Sequence, residues 1–215
     1  MVALLIAAGL LWPVTFPGGQ TVRVQMPDYG PEDLVRTYRP SVRFNPQRSF
    51  AAVQTSWSAG AKYEGGDVFL VHPSRPTLRL TAGTVGRLFW TEDGQYLIGA
   101  GKTTVRLWNL QGGVRLATPS LPARWLNGRD VIAREIIGMA LAQSALCVRS
   151  SFVLAEAGAF APVPGAPGDE APPAEAPAEA PVTEVLQTVS RYSLPTLRLL
   201  SRAPASSTTK APPCS

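Results

Sequence analysis

A short hairpin motif that recurs along the chain constrains the fold more than any other feature. In each copy an aromatic residue is followed by a turn, and an apolar residue stands six positions after the aromatic one. The copies are Phe44–Phe50, Trp90–Tyr96 and Trp125–Val131. Their turns contain Asn-Pro, Asp-Gly and Asn-Gly, pairs that preset a bend or tolerate a positive φ. Each copy therefore predicts a β-hairpin.

An apolar–arginine–apolar triplet follows each hairpin and extends the repeat. The triplets are Leu78–Leu80, Val114–Leu116 and Leu197–Leu199, and Pro-Thr-Leu-Arg-Leu occurs twice, at 76–80 and 195–199. Before each triplet lies another apolar run. These runs are Val68–Val71, Val105–Trp108 and Val189–Tyr192. Each unit is therefore predicted to hold four strands: a hairpin, a third strand, a turn and a fourth strand.

The N-terminus matches part of the same unit. Leu5–Val24 aligns without gaps with Leu97–Leu116, and six of the twenty positions are identical, which predicts strands two to four of an earlier unit. The predicted blade-like units span 1–137. In chain order we expect a partial unit (1–24), two units (41–81 and 84–118), the start of a third (122–137), an insertion (138–184), strands completing the third unit (185–201) and a disordered tail (202–215).

Four-stranded antiparallel units that recur at about 40 residues are typical of β-propeller blades. One twisted sheet cannot bury both of its faces, so neighbouring units stack. The second unit resembles the Trp-Asp (WD) repeat and related bacterial propeller repeats, through the Asp93-Gly94 turn, Thr104–Trp108 and Asn109 in place of the usual Asp. The resemblance implies an all-β, propeller-like array that serves as a rigid docking platform.

The segment Pro162–Pro181 differs from the rest of the chain, with seven prolines, four acidic residues and no basic residue. Such a composition predicts an extended, solvated spacer, and it falls between the second and third strands of the last unit. Without it the chain carries 20 basic and 11 acidic residues, a net charge of +9. The preceding stretch Ile136–Val148 fits either a short helix or a strand.

The first residues allow two interpretations. Met1–Gly19 has the apolar core of a secretory leader but no Lys or Arg before Arg23. A leader predicts an extracytoplasmic protein, and a strand of the partial unit predicts a cytoplasmic one. The longest apolar run, Val2–Trp12, is too short to span a bilayer. The array could close as a four-bladed ring, remain open and self-associate, or belong to a larger ring.

Few residues could carry chemistry. The single histidine, His72, ends an apolar run before a turn, and one histidine with two cysteines excludes the usual zinc sites. Cys147 and Cys214 could form one disulfide, although two unpaired thiols are favoured. The acidic residues Glu92, Asp93 and Asp130 lie in predicted turns, which explains their presence without a catalytic role. We expect no cofactor and no metal, and no catalytic or binding residue is singled out.

Arginine carries the positive charge, with 20 Lys and Arg against 15 Asp and Glu, but no basic run predicts specific nucleic-acid binding. One arginine recurs in the predicted fourth strands, which are outermost in a propeller. These residues are Arg23, Arg79, Arg115 and Arg198. They predict either a solvated, edge-protecting rim or a basic surface for an anionic partner. Trp57 is a candidate surface contact residue.

The sequence thus favours a non-catalytic scaffold or recognition module whose partner is a protein. One alternative is an exported hydrolase or lyase that uses carboxylates in a propeller channel. Another is a truncated fragment of a larger propeller.

Overall fold

The computed structural model describes residues 10–29, 35–59, 63–82, 85–142, 144–157 and 183–205. Within these ranges nearly all regular structure is β-strand, as predicted. The elements are β1 (Leu11–Thr15), β2 (Thr21–Gln25), β3 (Arg36–Phe44), β4 (Ala51–Ala59), β5 (Tyr63–Gly65), β6 (Asp67–His72), β7 (Arg75–Ala82), β8 (Arg87–Trp90), β9 (Tyr96–Ala100), β10 (Val105–Asn109), β11 (Val114–Ala117), α1 (Ala123–Leu126), β12 (Arg129–Ala142), β13 (Ala145–Glu156), β14 (Thr183–Ser193) and β15 (Leu199–Pro204).

The strands form four antiparallel sheets. β1 and β2 make an N-terminal hairpin. The first sheet has the order β3-β4-β6-β7, with β5 paired to β4, and the second has the order β8-β9-β10-β11. The third has the order β12-β13-β14-β15. Each full sheet is thus a meander of neighbouring strands, which is the arrangement of a propeller-like blade.

Two of the three predicted hairpins are present at the predicted residues. β3 ends at Phe44, and Asn45 Oδ1 accepts a hydrogen bond from Phe50 N at 2.9 Å. β8 ends at Trp90 and β9 begins at Tyr96, with Gly94 at a φ of 64° in the turn. In both turns a side-chain oxygen within the turn accepts a hydrogen bond from a nearby backbone N–H.

The third predicted hairpin is wrong. Trp125 lies in α1, and Asn127 and Gly128 adopt φ values of 50° and 78° where that helix ends. The Asn-Gly pair therefore acts as a helix C-terminal cap, which needs the same positive φ as a hairpin turn. The first strand of the third sheet begins only at Arg129.

The third sheet consequently uses residues assigned to the insertion (138–184). β12 and β13 form a long hairpin whose turn includes Ser144, so the strand alternative for Ile136–Val148 is the correct one. β13 pairs with β14 up to Ala155 opposite Thr183. The spacer Pro162–Pro181 lies outside the described residues, as do positions 206–215 of the predicted tail, whereas 202–204 belong to β15.

Apolar residues fill the spaces between successive sheets, because side chains alternate between the two faces of each strand. Val53 contributes to the core against the N-terminal hairpin, and its neighbour Ala52 contributes to the core against the second sheet. Trp108 faces the first sheet and Leu107 the third in the same way. Each sheet therefore covers its neighbour, and burial of each large side chain contributes about 1.5–3 kcal/mol.

Over the described ranges the sheets form an open stack. The outer face of the N-terminal hairpin carries the exposed side chains of Leu11, Thr15, Thr21, Arg23 and Gln25. No described strand pairs the hairpin with the third sheet. Residues 1–9 of the candidate leader lie outside the described residues, while β1 and β2 pack on the first sheet.

Cys147, on β13, is buried and disulfide-bonded. The expectation of two unpaired thiols is therefore wrong. The only other cysteine of the sequence, Cys214, lies outside the described residues.

Candidate functional site

The triplets of β7 and β11 face in opposite directions. In β7, Arg79 lies opposite Phe69, whose side chain faces the N-terminal hairpin. In β11, Arg115 lies opposite Leu107, whose side chain faces the third sheet. The apolar neighbours of both arginines therefore point into the same space between the first and second sheets.

These apolar side chains line a groove between the two outer strands. The outer groove is defined here by Leu78 and Leu80 of β7, by Val114 and Leu116 of β11, and by Gly112 in the turn before β11. Leu78, Val114 and Leu116 are 36%, 51% and 61% exposed. A Cβ on Gly112 would lie 3.4 Å from Leu78 Cδ1, so the two walls are in contact at this end. Large apolar side chains left exposed together are typical of a binding surface.

The outer groove has a basic residue in its wall. Arg106 of β10 lies opposite Leu116 and two residues from the core residue Trp108, so its side chain shares the groove face. Arg106 is half-buried, and no described residue forms an ion pair with it. The groove therefore combines an apolar surface with an available guanidinium group.

Arg79 has a specific partner instead. Its Nε and Nη2 donate to the two carboxylate oxygens of Asp67 at 2.9 and 3.0 Å. The Asp67 side chain is 2% exposed and also accepts from the Tyr29 hydroxyl at 2.8 Å. Thr55 Oγ1 contacts the same hydroxyl and accepts from Asp67 N. This network fastens the segment before β3 to the first sheet.

The network shifts two pKa values. Burial, together with the hydrogen bond to Asp67, raises the pKa of Tyr29 to about 12, although the Thr55 hydrogen bond opposes the rise. The Asp67 carboxylate raises the pKa of Arg79. Both shifts favour the protonated forms of Tyr29 and Arg79, which are the forms that donate hydrogen bonds to Asp67.

The other arginines of the predicted rim lie in different surroundings. Arg23 is exposed on the outer face of β2 and Arg115 is exposed on β11. Arg198 lies in the turn before β15 rather than in a strand. The four residues therefore do not form one basic rim, because one is paired, one is in a turn and two face different spaces.

Trp57 and His72 both have structural contacts. The Trp57 ring centroid lies 5.9 Å from that of Tyr29, and Gly65 packs directly on the indole. β6 ends at His72, as predicted, where Nδ1 accepts from Ser74 N at 3.0 Å. The His72 ring centroid lies 4.6 Å from that of Phe50. Contacts with Tyr29 and with residues of the first sheet therefore account for both side chains.

A second concave feature lies at the turn end of the second and third sheets. This turn-end cleft has a volume of about 330 Å³ and is lined by Glu92, Asp93 and Tyr96 on one side and by Leu194 and Pro195 on the other. Asp93 Oδ1 accepts from Thr91 Oγ1 at 2.6 Å and from Gln95 N at 3.0 Å. Asp93 therefore shapes its turn, as predicted from the sequence.

The described residues were also compared with the requirements of a metal site and of a membrane-spanning helix. The described His, Cys, Asp and Glu residues include no group of three or more placed to hold a metal ion. No described helix has the length and apolar character needed to cross a bilayer.

Comparison with known proteins gives little further guidance. No protein-family model matches the chain, and no curated protein is similar to it. Among solved structures it is similar to the β-propeller domain of Cps50 (Swd1) from Myceliophteria thermophila, with 14% identity over 80% of this chain and a TM-score of 0.32. The match spans 58% of that domain. A likeness of this size assigns neither fold nor function, so both are inferred from the strands and surfaces of the chain itself.

Proposed function

We propose that the protein is a non-catalytic, propeller-like scaffold that recognises another protein through the outer groove. The observation that carries this proposal is the exposure of Val114 and Leu116 beside Leu78. Apolar side chains on the outer strands of two neighbouring sheets remain in solvent although both strands belong to otherwise well-packed sheets. Covering such side chains gives about 25 cal/mol per Å² of apolar area, which is the main driving force of protein association.

The stack itself supports a scaffold role. Hydrogen bonds join the first strands of neighbouring sheets: Arg43 Nη1 donates to Leu88 O, and Trp90 Nε1 donates to Arg43 O. Gln47 Nε2 also donates to Asp93 O, which links the two hairpin turns. These contacts fix one sheet against the next, so the groove between β7 and β11 is pre-organised. A rigid surface loses less entropy on binding than a mobile one.

An unbiased selection tests the proposal. A randomised ten-residue peptide library displayed on phage is selected against the immobilised full-length chain and against a Val114→Thr/Leu116→Thr variant. Threonine keeps the β-propensity of β11 but removes most of the apolar surface. We expect peptides enriched on the wild type to lose at least tenfold in affinity for the variant.

A matched variant controls for general loss of apolar surface. Leu199 and Leu200 are also exposed, on β15 of the third sheet, so Leu199→Thr/Leu200→Thr makes the same change at another edge. Circular dichroism confirms that each variant folds. The proposal fails if no peptide is enriched, or if the peptides bind the Val114/Leu116 variant as tightly as they bind the wild type.

A further inference from the structure

The outer edge of β11 is open to a further strand. β11 is the last strand of its sheet, and none of the described residues pairs with its outer side. Asn109 N donates to Gly113 O at 3.0 Å, which sets the alternation of the ladder between β10 and β11. By that alternation the backbone groups of Val114 and Leu116 point away from β10. The edge therefore offers two N–H donors and two carbonyl acceptors in the spacing of a strand.

The side chains along this edge specify what could pair with it. Val114 and Leu116 face the outer groove, and Arg115 between them faces the other side of the sheet. In an added antiparallel strand the residue opposite Arg115 would occupy a non-hydrogen-bonded position, where facing side chains are closest. Arg115 is exposed, and no described residue forms an ion pair with it.

We infer that β11 binds an extended protein segment that adds as a strand to its outer edge and carries an acidic residue between two apolar ones. The apolar residues enter the outer groove beside Leu78 and Leu80, and the acidic residue lies opposite Arg115. This inference rests on the proposed recognition function and names the chemistry of the partner.

A second copy of this chain fits the same edge poorly. Antiparallel pairing of β11 with β11 about a dyad at Arg115 would place two guanidinium groups directly opposite each other. Like charges at facing positions of a sheet destabilise the pair. The basic excess of the chain, +5 overall, adds a further electrostatic preference for an acidic partner.

Two synthetic peptides test the inference. Each has eight residues, is acetylated and amidated, and has a centre of alternating valine and either glutamate or lysine. Binding of the labelled peptides to the full-length chain is measured by fluorescence anisotropy. We expect the wild type to prefer the glutamate peptide and Arg115→Glu to prefer the lysine peptide. The affinity for each peptide should differ roughly fivefold between the two proteins. Arg134→Glu makes the same charge change at an exposed site on β12 and should leave the preference as in the wild type.

A proline variant tests strand addition separately from charge. The Leu116 N–H points away from β10, so Leu116→Pro removes an edge donor without breaking the ladder within the sheet. It should abolish binding of both peptides while the circular dichroism spectrum stays unchanged. The inference is overturned if Arg115→Glu keeps the wild-type preference, if Leu116→Pro binds normally, or if the wild type binds neither peptide.

The two proposals fail in different ways. Peptides from the unbiased library that depend on Val114 and Leu116 but carry no acidic residue would overturn this inference and leave the recognition function standing. Failure of the library selection would remove both.

Discussion

The pentapeptide Pro-Thr-Leu-Arg-Leu has two structures in this chain. At 76–80 it lies within β7, where Leu78 is partly exposed at the outer groove and Arg79 binds Asp67. At 195–199 it runs through the turn between β14 and β15 into the first residue of β15, and here Leu197 adopts a φ of 54° and is buried between the second and third sheets. The leucine before the arginine is thus a surface residue in one copy and a core residue in the other.

The surroundings of the two copies explain the difference. In β7 the pentapeptide pairs with β6, and Leu78 lies opposite Leu70. In the turn, the backbone closes on itself: Leu197 N donates to Ser193 O at 2.9 Å, and Ser193 N donates to Arg198 O at 2.8 Å. Identical residues therefore take whichever set of hydrogen bonds the neighbouring chain provides, because backbone groups must be paired in either state.

The largest expected effect on stability follows from removing the carboxylate of Asp67, which binds Arg79 of the first pentapeptide. Asp67→Ala should lower the free energy of unfolding by about 3 kcal/mol, because a buried acceptor of two arginine bonds and a tyrosine bond is removed. Urea denaturation measures the change. Asp130 is exposed on β12, and Asp130→Ala should cost less than about 0.5 kcal/mol. Equal losses in the two variants would contradict the role of the Tyr29 network.

The next largest difference in stability is expected between alanine variants of Leu78 and Leu197, which occupy the same position in the two pentapeptides. Leu197→Ala should cost about 2–3 kcal/mol, because the side chain is 7% exposed within a core. Leu78→Ala should cost less than about 1 kcal/mol, since 36% of Leu78 is already in solvent. Thermal and urea unfolding of the two variants, compared at one protein concentration, measure the difference. Similar losses would mean that the two pentapeptides are packed alike.

A smaller difference in stability is expected between alanine variants of Arg79 and Arg198. Arg79→Ala should cost about 1–2 kcal/mol, because Asp67 stays buried with fewer partners while Arg79 itself is half exposed and screened by solvent. Arg198→Ala should change stability by no more than about 0.5 kcal/mol, since only its backbone takes part in the turn. The double variant Asp67→Ala/Arg79→Ala should lose less than the sum of the two single losses. Strict additivity would show that the ion pair contributes nothing.

The smallest effect concerns pH. Folding raises the pKa of Tyr29 from 10.0 to about 12, so the folded chain keeps a proton that the unfolded chain loses. The stabilisation is complete below about pH 10 and is lost as the pH rises towards 12. The free energy of unfolding, measured with urea at pH 9, 10 and 11, should decline with pH less steeply in Tyr29→Phe than in the wild type. If the free energy of unfolding falls equally with pH in the two proteins, a group other than Tyr29 causes the decline.

The sequence was a good guide where local chemistry decides the structure. Asp93 and Gly94 form the predicted turn because an aspartate oxygen binds the backbone two residues on and glycine accepts a positive φ. The same reasoning failed at Asn127-Gly128, since a positive φ also ends a helix. Whether such a pair joins two strands or ends a helix depends on contacts with residues far away in the sequence.

The outer groove could not be predicted from the triplets. Pattern alone places Leu78–Leu80 and Val114–Leu116 at equivalent positions, with their arginines on one common rim. The actual faces depend on how each fourth strand registers with the third: Arg79 lies opposite Phe69, and Arg115 lies opposite Leu107. A shift of one residue moves every side chain of a strand to the other face. The turn at 110–113 sets the register of β11, whereas the register of β7 also depends on a one-residue irregularity in the ladder between Leu70 and His72.

The pairing of Ala155 with Thr183 has a consequence for the evolution of the chain. The polypeptide leaves the third sheet and re-enters it at directly facing positions, so the sheet requires only that these two ends meet. The entropic cost of closing a loop rises only with the logarithm of its length, about 0.6 kcal/mol for each doubling. Sequence can therefore be gained, lost or exchanged for a whole folded module at this point while the four layers keep their geometry.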